Sequence, residues 1–250
     1  MKNEANQFFA PQAWVAGAWA YDVLLGVAAD GSWSQVQPKA TEQQRATATR
    51  LNGPVLPGVV NAHSHAFQRA IAGLTERRST GAAIADDFWS WRDRMYAAAN
   101  CITPEQLEVI ATQLYAELLA GGYTQVCEFH YLHNAIAGAP YAKVAEMSLA
   151  LVRAAQRTGM GLTLLPTLYM RAGFAEAGLR ADQRRFASTP DSIVRIVEDV
   201  QRHAADDARI NVGVAIHSLR AVSPPALKEL AAYAHTAGLP VHILIAEQTQ

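Results

Sequence analysis

The pair His63 and His65 is the feature of this sequence that most directly suggests chemistry. The two histidines follow an apolar run over residues 55–60, which is typical of a strand buried on both faces. Residues two apart on a strand point to the same side, so both imidazole rings can reach one metal ion. An isolated pair of this kind is more often a surface or capping pair, but its place after a buried strand favours a metal site.

Other polar side chains also follow predicted strands, namely Tyr131, His217 and Glu247. The active sites of (β/α)8 barrels lie at the C-terminal ends of the strands, so these residues are candidates for the same site. Tyr131 is also compatible with a core position. His217 and Arg220 fit a structural role as well as a site role. Arg92, in a predicted helix, is by itself more typical of a surface cation.

The elements that must position these residues alternate between helix and strand from residue 53 onwards. Strands are predicted at 55–60, 123–129, 162–168, 210–216 and 240–246, and helices at 103–120, 140–158, 189–203 and 223–238. This order predicts a parallel α/β architecture. An open doubly wound sheet would give the same order, but the polar residues at the strand ends favour an incomplete (β/α)8 TIM-type barrel of about five strands.

The first part of the chain has a different character. Short strand-like runs between residues 13 and 36 flank Asp30 and Gly31, a dipeptide suited to a hairpin turn. We therefore expect a small β module over residues 1–53, followed by the barrel domain over residues 54–250.

Composition excludes several classes of function. Half of the 250 residues are hydrophobic, 17% are charged and the net charge is −1, which argues against disorder and against a nucleic-acid partner. No apolar run is long enough for a signal peptide or a membrane helix, and Cys101 and Cys127 form no CxxC pair. No strand is followed by a GxGxxG or GxxxxGK[ST] loop. We expect a cytoplasmic protein with a small-molecule substrate and no membrane partner; homo-oligomerisation is left open.

The segment PGVVNAHSH over residues 57–65 resembles the first-strand metal motif of the amidohydrolase superfamily. That superfamily combines a metal-bearing (β/α)8 barrel with a small β-sandwich, whose first half resembles the predicted N-terminal module. Three further strings resemble the formiminoglutamate deiminase family of histidine degradation within it: HSHAFQRA (63–70), FWSWR (88–92) and EFHY (128–131).

The resemblance implies roles for individual residues. His63 and His65 would bind one divalent metal, zinc or alternatively iron, and no lysine ends the fourth strand to bridge a second ion. Glu247 would transfer protons and His217 would polarise the substrate. The glutamate part would be held by five residues: Gln68, Arg92, Tyr131, His217 and Arg220. Paired hydrogen bonds from guanidinium groups suit a substrate with two carboxylates.

Two features depart from the family pattern. The fifth strand should end in His-x-x-Glu, but Leu244 stands three residues before Glu247, and His242 lies deeper along the strand. The chain also ends at Gln250, before the family's sixth-strand histidine and eighth-strand aspartate. We therefore expect the N-terminal portion of a deiminase that forms N-formyl-L-glutamate and ammonia, in itself too short to be active. A related deaminase acting on a base-like substrate and a catalytically inactive truncated chain are the alternatives.

Overall fold

The structure is a computed structural model that describes residues 6–75 and 88–245; the side chains of residues 88 and 89 are not described. The chain divides into two compact units, Met1–Gly58 and Val59–Gln250. The boundary expected after residue 53 stays a prediction of domain organisation. No helix within the described ranges is long and apolar enough to cross a membrane.

The first unit is built on a small sheet. Its described elements are β1 (Asn6–Val15), β2 (Ala18–Val27), β3 (Trp33–Gln37), α1 (Glu42–Thr47) and β4 (Thr49–Arg50), with strand order β3-β2-β1-β4. Asp30 and Gly31 do form the turn between β2 and β3. The Asp30 carboxylate accepts hydrogen bonds from the amide and hydroxyl of Ser32, and Gly31 adopts a φ of 84°.

The second unit contains the parallel sheet. Its strands are β5 (Val59–Ser64), β6 (Tyr123–His130), β7 (Gly161–Leu168), β8 (Ile210–Val212), β9 (Val214–Ser218) and β10 (Val241–Leu244). The main path runs β10-β9-β7-β6-β5, and β8 pairs with the first half of β7. The connecting helices are α2 (Phe88–Ala99), α3 (Pro104–Ala120), α4 (Glu146–Thr158), α5 (Pro190–His203) and α6 (Pro224–Thr236). The predicted incomplete barrel with helices outside its strands is confirmed.

Local sequence signals explain where most helices begin and end. Capping boxes join Thr103 to Gln106 at the start of α3 and Thr189 to Ser192 at the start of α5. Gly159 ends α4 at a φ of 79°, in the left-handed region that favours glycine. The prediction that α4 begins at residue 140 was wrong, because turns occupy that segment and the helix starts at Glu146 without a side-chain cap.

The fourth predicted strand is divided into β8 and β9 at Gly213. A Cβ atom at this position would lie 2.6 Å from the Pro240 carbonyl oxygen and 2.8 Å from Leu165 Cδ2. Only glycine therefore allows the neighbouring backbone to approach this closely. After the division, β9 pairs with the end of β7 and carries His217 to its own C-terminal end.

Candidate active site

His63 and His65 lie at the C-terminal end of β5 with their rings directed towards each other. Their Nε2 atoms are 3.0 Å apart. Between Asn61 and Ser64 the register with β6 shifts, so that three steps along β5 face two steps along β6. Such a bulge re-aims side chains at a strand end. The two nitrogen atoms converge as two ligands of one metal ion do, since metal–nitrogen bonds of about 2 Å place neighbouring ligands about 3 Å apart.

The state of His65 is set by its surroundings. Its Nδ1 atom lies 2.9 Å from the Phe129 carbonyl oxygen and can donate to it only as N–H, which leaves the lone pair on Nε2. Burial lowers the pKa of His65 to about 4, although the bond to Phe129 opposes this shift. The pKa of His63 is also lowered, by burial and then by the charge of His242. Both rings are therefore neutral at pH 7, as metal ligands must be.

Glu128, on β6, fixes the turn that follows the histidine pair. One carboxylate oxygen accepts a hydrogen bond from the Ala66 amide at 2.5 Å, and the other lies 3.4 Å from the Tyr115 hydroxyl. Burial raises the pKa of Glu128 to about 7, against the opposing hydrogen bonds from Ala66, Ser64 and Tyr115. A glutamate inside an apolar strand was a sequence signal for this role that we did not use.

His217 ends β9 next to a second irregularity of the sheet. One step along β10, from Ile243 to Leu244, faces two steps along β9, and His217 is the additional residue. Its ring packs against Tyr169 with centroids 4.2 Å apart. Burial lowers the pKa of His217 well below its ordinary value, and the charges of Arg220 and His65 lower it further. His217 is therefore a neutral imidazole that can polarise a bound group without carrying charge.

These strand ends surround a cavity of about 220 Å³. It brings together seven residues singled out from the sequence: His63, His65, Gln68, Arg92, Tyr131, His217 and Arg220. Gln68 Nε2 lies 3.3 Å from the Tyr131 hydroxyl. The remaining predicted site residue, Glu247, lies outside the described residues.

Sequence reasoning missed other residues that line this cavity, above all Tyr96, Met95 and Tyr169. Tyr169 follows directly on the last residue of β7, so the strand-end argument that selected Tyr131 and His217 would also have selected it. Tyr96 and Met95 lie one turn beyond Arg92 on α2, on the same helix face. The helical spacing from Arg92 was the available signal.

The fifth strand brings Leu244 to the same cavity, beside His63 and His65. A leucine side chain offers no lone pair, so this position contributes no metal ligand. His242 is near enough to lower the pKa of His63, but it does not line the cavity. Over residues 6–75 and 88–245, no group of three or more His, Cys, Asp or Glu side chains is arranged to hold a metal ion. The described residues thus provide two converging ligands.

Comparison with known proteins decides the family. Residues 55–250 match the model of the amidohydrolase family. The chain belongs to this family. Among relatives, it is 45% identical over 243 residues to formimidoylglutamate deiminase of Pseudomonas aeruginosa, a match that covers 97% of this chain and 52% of that protein. It is 27% identical over 199 residues to 8-oxoguanine deaminase of the same organism, which covers 77% of this chain and 40% of the relative.

Solved amidohydrolase structures agree with the fold. An amidohydrolase from Brucella melitensis superposes with a TM-score of 0.84 at 40% identity, over 95% of this chain and 51% of that one. The atrazine chlorohydrolase of Arthrobacter aurescens TC1, complexed with zinc, superposes with a TM-score of 0.72 at 16% identity over 94% of this chain and 52% of that one, which bears on the fold alone. The chain spans about half the length of the relatives and structures it matches.

Proposed function

We propose that this chain supplies the substrate-binding half of a metal-dependent deiminase that hydrolyses N-formimino-L-glutamate to N-formyl-L-glutamate and ammonia, a reaction of histidine degradation. The observation that carries the proposal is the composition of the cavity, which places the histidine pair and two arginines, Arg92 and Arg220, around one small volume. The 45% identity to a protein named formimidoylglutamate deiminase supports the same reaction.

The two arginines match the charge of a glutamate-derived substrate. Such a substrate carries two carboxylates at neutral pH, and each guanidinium group can donate two parallel hydrogen bonds to one of them. The Arg92 side chain is only 12% exposed and its Cζ lies 5.4 Å from the centre of the Tyr96 ring. A purine or pyrimidine base has no carboxylate to which these guanidinium groups could donate paired hydrogen bonds.

The histidine pair fits one divalent metal ion. Two neutral imidazole nitrogens suit zinc and also iron, and we infer that His63 and His65 would hold the ion through Nε2. A divalent ion bound there would supply a nucleophile from water at neutral pH. Phe129, whose carbonyl oxygen accepts from His65 Nδ1, would keep the ligand ring in its orientation.

The remaining side chains bind and orient the substrate. Gln68, Tyr131 and the two arginines would hold the glutamate part, and His217 would place a neutral ring against the formimino group. Glu247 is assigned the proton transfer to the departing nitrogen. These side-chain roles are proposals.

The test is ammonia release from N-formimino-L-glutamate by the Leu244→His variant with zinc supplied, since Leu244 provides no ligand and the unchanged protein should release none; the further substitutions are made in this variant. We expect Arg220→Ala to lower kcat/KM by roughly a hundredfold, because an unpaired carboxylate costs a few kcal/mol. Arg195→Ala on α5, which removes an exposed ion pair with Asp191, is the matched control. Turnover of 8-oxoguanine without turnover of the formimino substrate would contradict the proposal.

A further inference from the structure

Three buried polar residues form a hydrogen-bonded array at the side of the cavity. The hydroxyl oxygens of Tyr96 and Tyr169 lie 3.4 Å apart. The side-chain nitrogen Nε2 of Gln183 lies 3.0 Å from the first and 2.9 Å from the second. The exposed fractions of the three residues are between 1% and 3%. Both tyrosines line the cavity, whereas Gln183 lies behind them. We call these three residues the phenol array.

The orientation of the Gln183 amide is fixed by its other end. The backbone N–H of Arg180 donates to Gln183 Oε1 at 3.0 Å, and a backbone N–H can only donate. The amide nitrogen must therefore face the tyrosines, and both phenol oxygens accept a hydrogen bond from it. Gln183 thus determines the direction in which the two hydroxyl groups can donate.

The two hydroxyl groups have one more proton than the hydrogen bonds within the phenol array use. The two phenols carry two hydroxyl protons, and burial raises the pKa of Tyr169 far above its ordinary value, so its proton stays in place. The contact between the two oxygens uses one of these protons. The other has no acceptor within the phenol array, and both tyrosines line the cavity.

Positive charge flanks this donor on both sides. The Arg92 guanidinium lies over the ring of Tyr96, 5.4 Å from its centre. Arg220 is close enough to Tyr169 to act electrostatically on its hydroxyl, which lowers its pKa against the larger effect of burial. A hydroxyl donor next to guanidinium groups matches an acceptor that carries negative charge.

The geometry points to Tyr96 and Tyr169 as substrate-binding residues that donate one hydrogen bond to a carboxylate oxygen, with Gln183 as the positioning residue behind them. The inference rests on the proposed function and deepens it, because it assigns a neutral donor to the carboxylate subsite of the two arginines. It also explains why a glutamine is buried against the two phenols.

The test is calorimetric titration with N-formyl-L-glutamate, the product of the proposed reaction. Tyr96→Phe and Tyr169→Phe alone should each weaken binding by less than about threefold, because the remaining hydroxyl still donates. The double variant should weaken binding by about tenfold or more, the usual effect of losing a hydrogen bond to a charged group. Tyr233→Phe on α6 is the matched control and should bind as the unchanged protein does.

Gln183→Met tests the positioning role, since methionine keeps the length and lacks the donors. It should raise KM in the deiminase assay with kcat within about twofold. Added to the double tyrosine variant it should cause no further loss, because its effect passes through the two hydroxyls. Additional loss in the triple variant would overturn the positioning role, and unchanged affinity in the double variant would overturn the binding role. Absence of binding by the unchanged protein, together with absence of ammonia release by the Leu244→His variant, would instead overturn the proposed function.

Discussion

At the scale of single residues, position 244 controls whether the histidine pair becomes a metal site. Leu244 lines the cavity together with His63 and His65, so the position itself is directed correctly and only its chemistry is missing. We expect Leu244→His to increase zinc affinity at least about a hundredfold, because a third nitrogen ligand closes a site that two ligands hold weakly. Competition with a chromophoric chelator measures this change.

The control for this substitution is Leu244→Asn, which has a similar size and is polar but offers a poor zinc ligand. It should leave the affinity within about threefold of that of the unchanged protein. His242 is the alternative source of a third ligand, since it is near His63 although it lies outside the cavity lining. Tight zinc binding by the unchanged protein that is lost in His242→Ala would contradict the prediction and assign the third ligand to His242.

At the scale of elements, the loop that carries Arg220 is held by one side chain. Arg171 donates from Nε to the Arg220 carbonyl oxygen at 2.8 Å, and from Nη2 to the Leu219 and Val222 carbonyl oxygens at 3.2 and 3.0 Å. The Met170 amide adds a hydrogen bond to the Ala221 carbonyl oxygen at 2.9 Å. The loop after β9 is therefore fixed from the segment that follows β7.

This arrangement predicts that Arg171→Met raises KM for the formimino substrate by roughly tenfold while kcat changes little, because Arg220 is displaced and the reacting end is not. Arg171→Lys should be intermediate, since an ammonium group cannot reach three carbonyl oxygens in the plane of a guanidinium. Arg195→Met on α5 is the control. Equal KM values for Arg171→Met and the unchanged protein would show that the loop holds its own conformation.

Sequence periodicity and caps predicted most helix limits, the strand-end residues and the later strands, because these depend on neighbours a few positions away. The prediction for the first strand was wrong in limits and burial, since the strand runs Val59–Ser64 instead of 55–60 and Val59 and Val60 are more than half exposed. The resemblance to the family, by its His-x-x-Glu pattern, placed position 244 at the metal site, and Leu244 does line the cavity. The phenol array did not, since Gln183 lies in a short 3-10 helix and bonds to Tyr96, 87 positions earlier. Contacts of that range depend on packing of the whole unit, which local patterns do not contain.

At the scale of the whole molecule, the core of the second unit contains three buried basic side chains that lie close together, those of Arg185, His130 and His133. Arg185 is fully buried and donates to the carbonyl oxygens of Asn134 and Ala99, which joins the loop after β6 to the end of α2. His130 and His133 lie beside it with ring centroids 5.4 Å apart. No salt bridge to Arg185 is found among the described residues. Protonation of either histidine would add charge to this region.

The last prediction is that acid destabilises the fold through His133. Burial lowers the pKa of His133 from 6.5 to about 4, while its Nε2 atom donates to the Thr167 carbonyl oxygen at 3.0 Å. Between these pH values the unfolded chain binds a proton that the folded chain does not, so the free energy of unfolding falls as the pH falls.

The loss due to His133 should reach about 3 kcal/mol by pH 4. Urea unfolding from pH 7 to pH 4, with a chelator present, measures it. His133→Gln keeps a donor for Thr167 and cannot titrate, so its profile should be flatter. His130 is present in both proteins, but the charge of His133 is one cause of the lowered pKa of His130, so part of the difference between the two profiles comes from His130. Parallel profiles would show that His133 is already charged in the folded state or does not become protonated on unfolding.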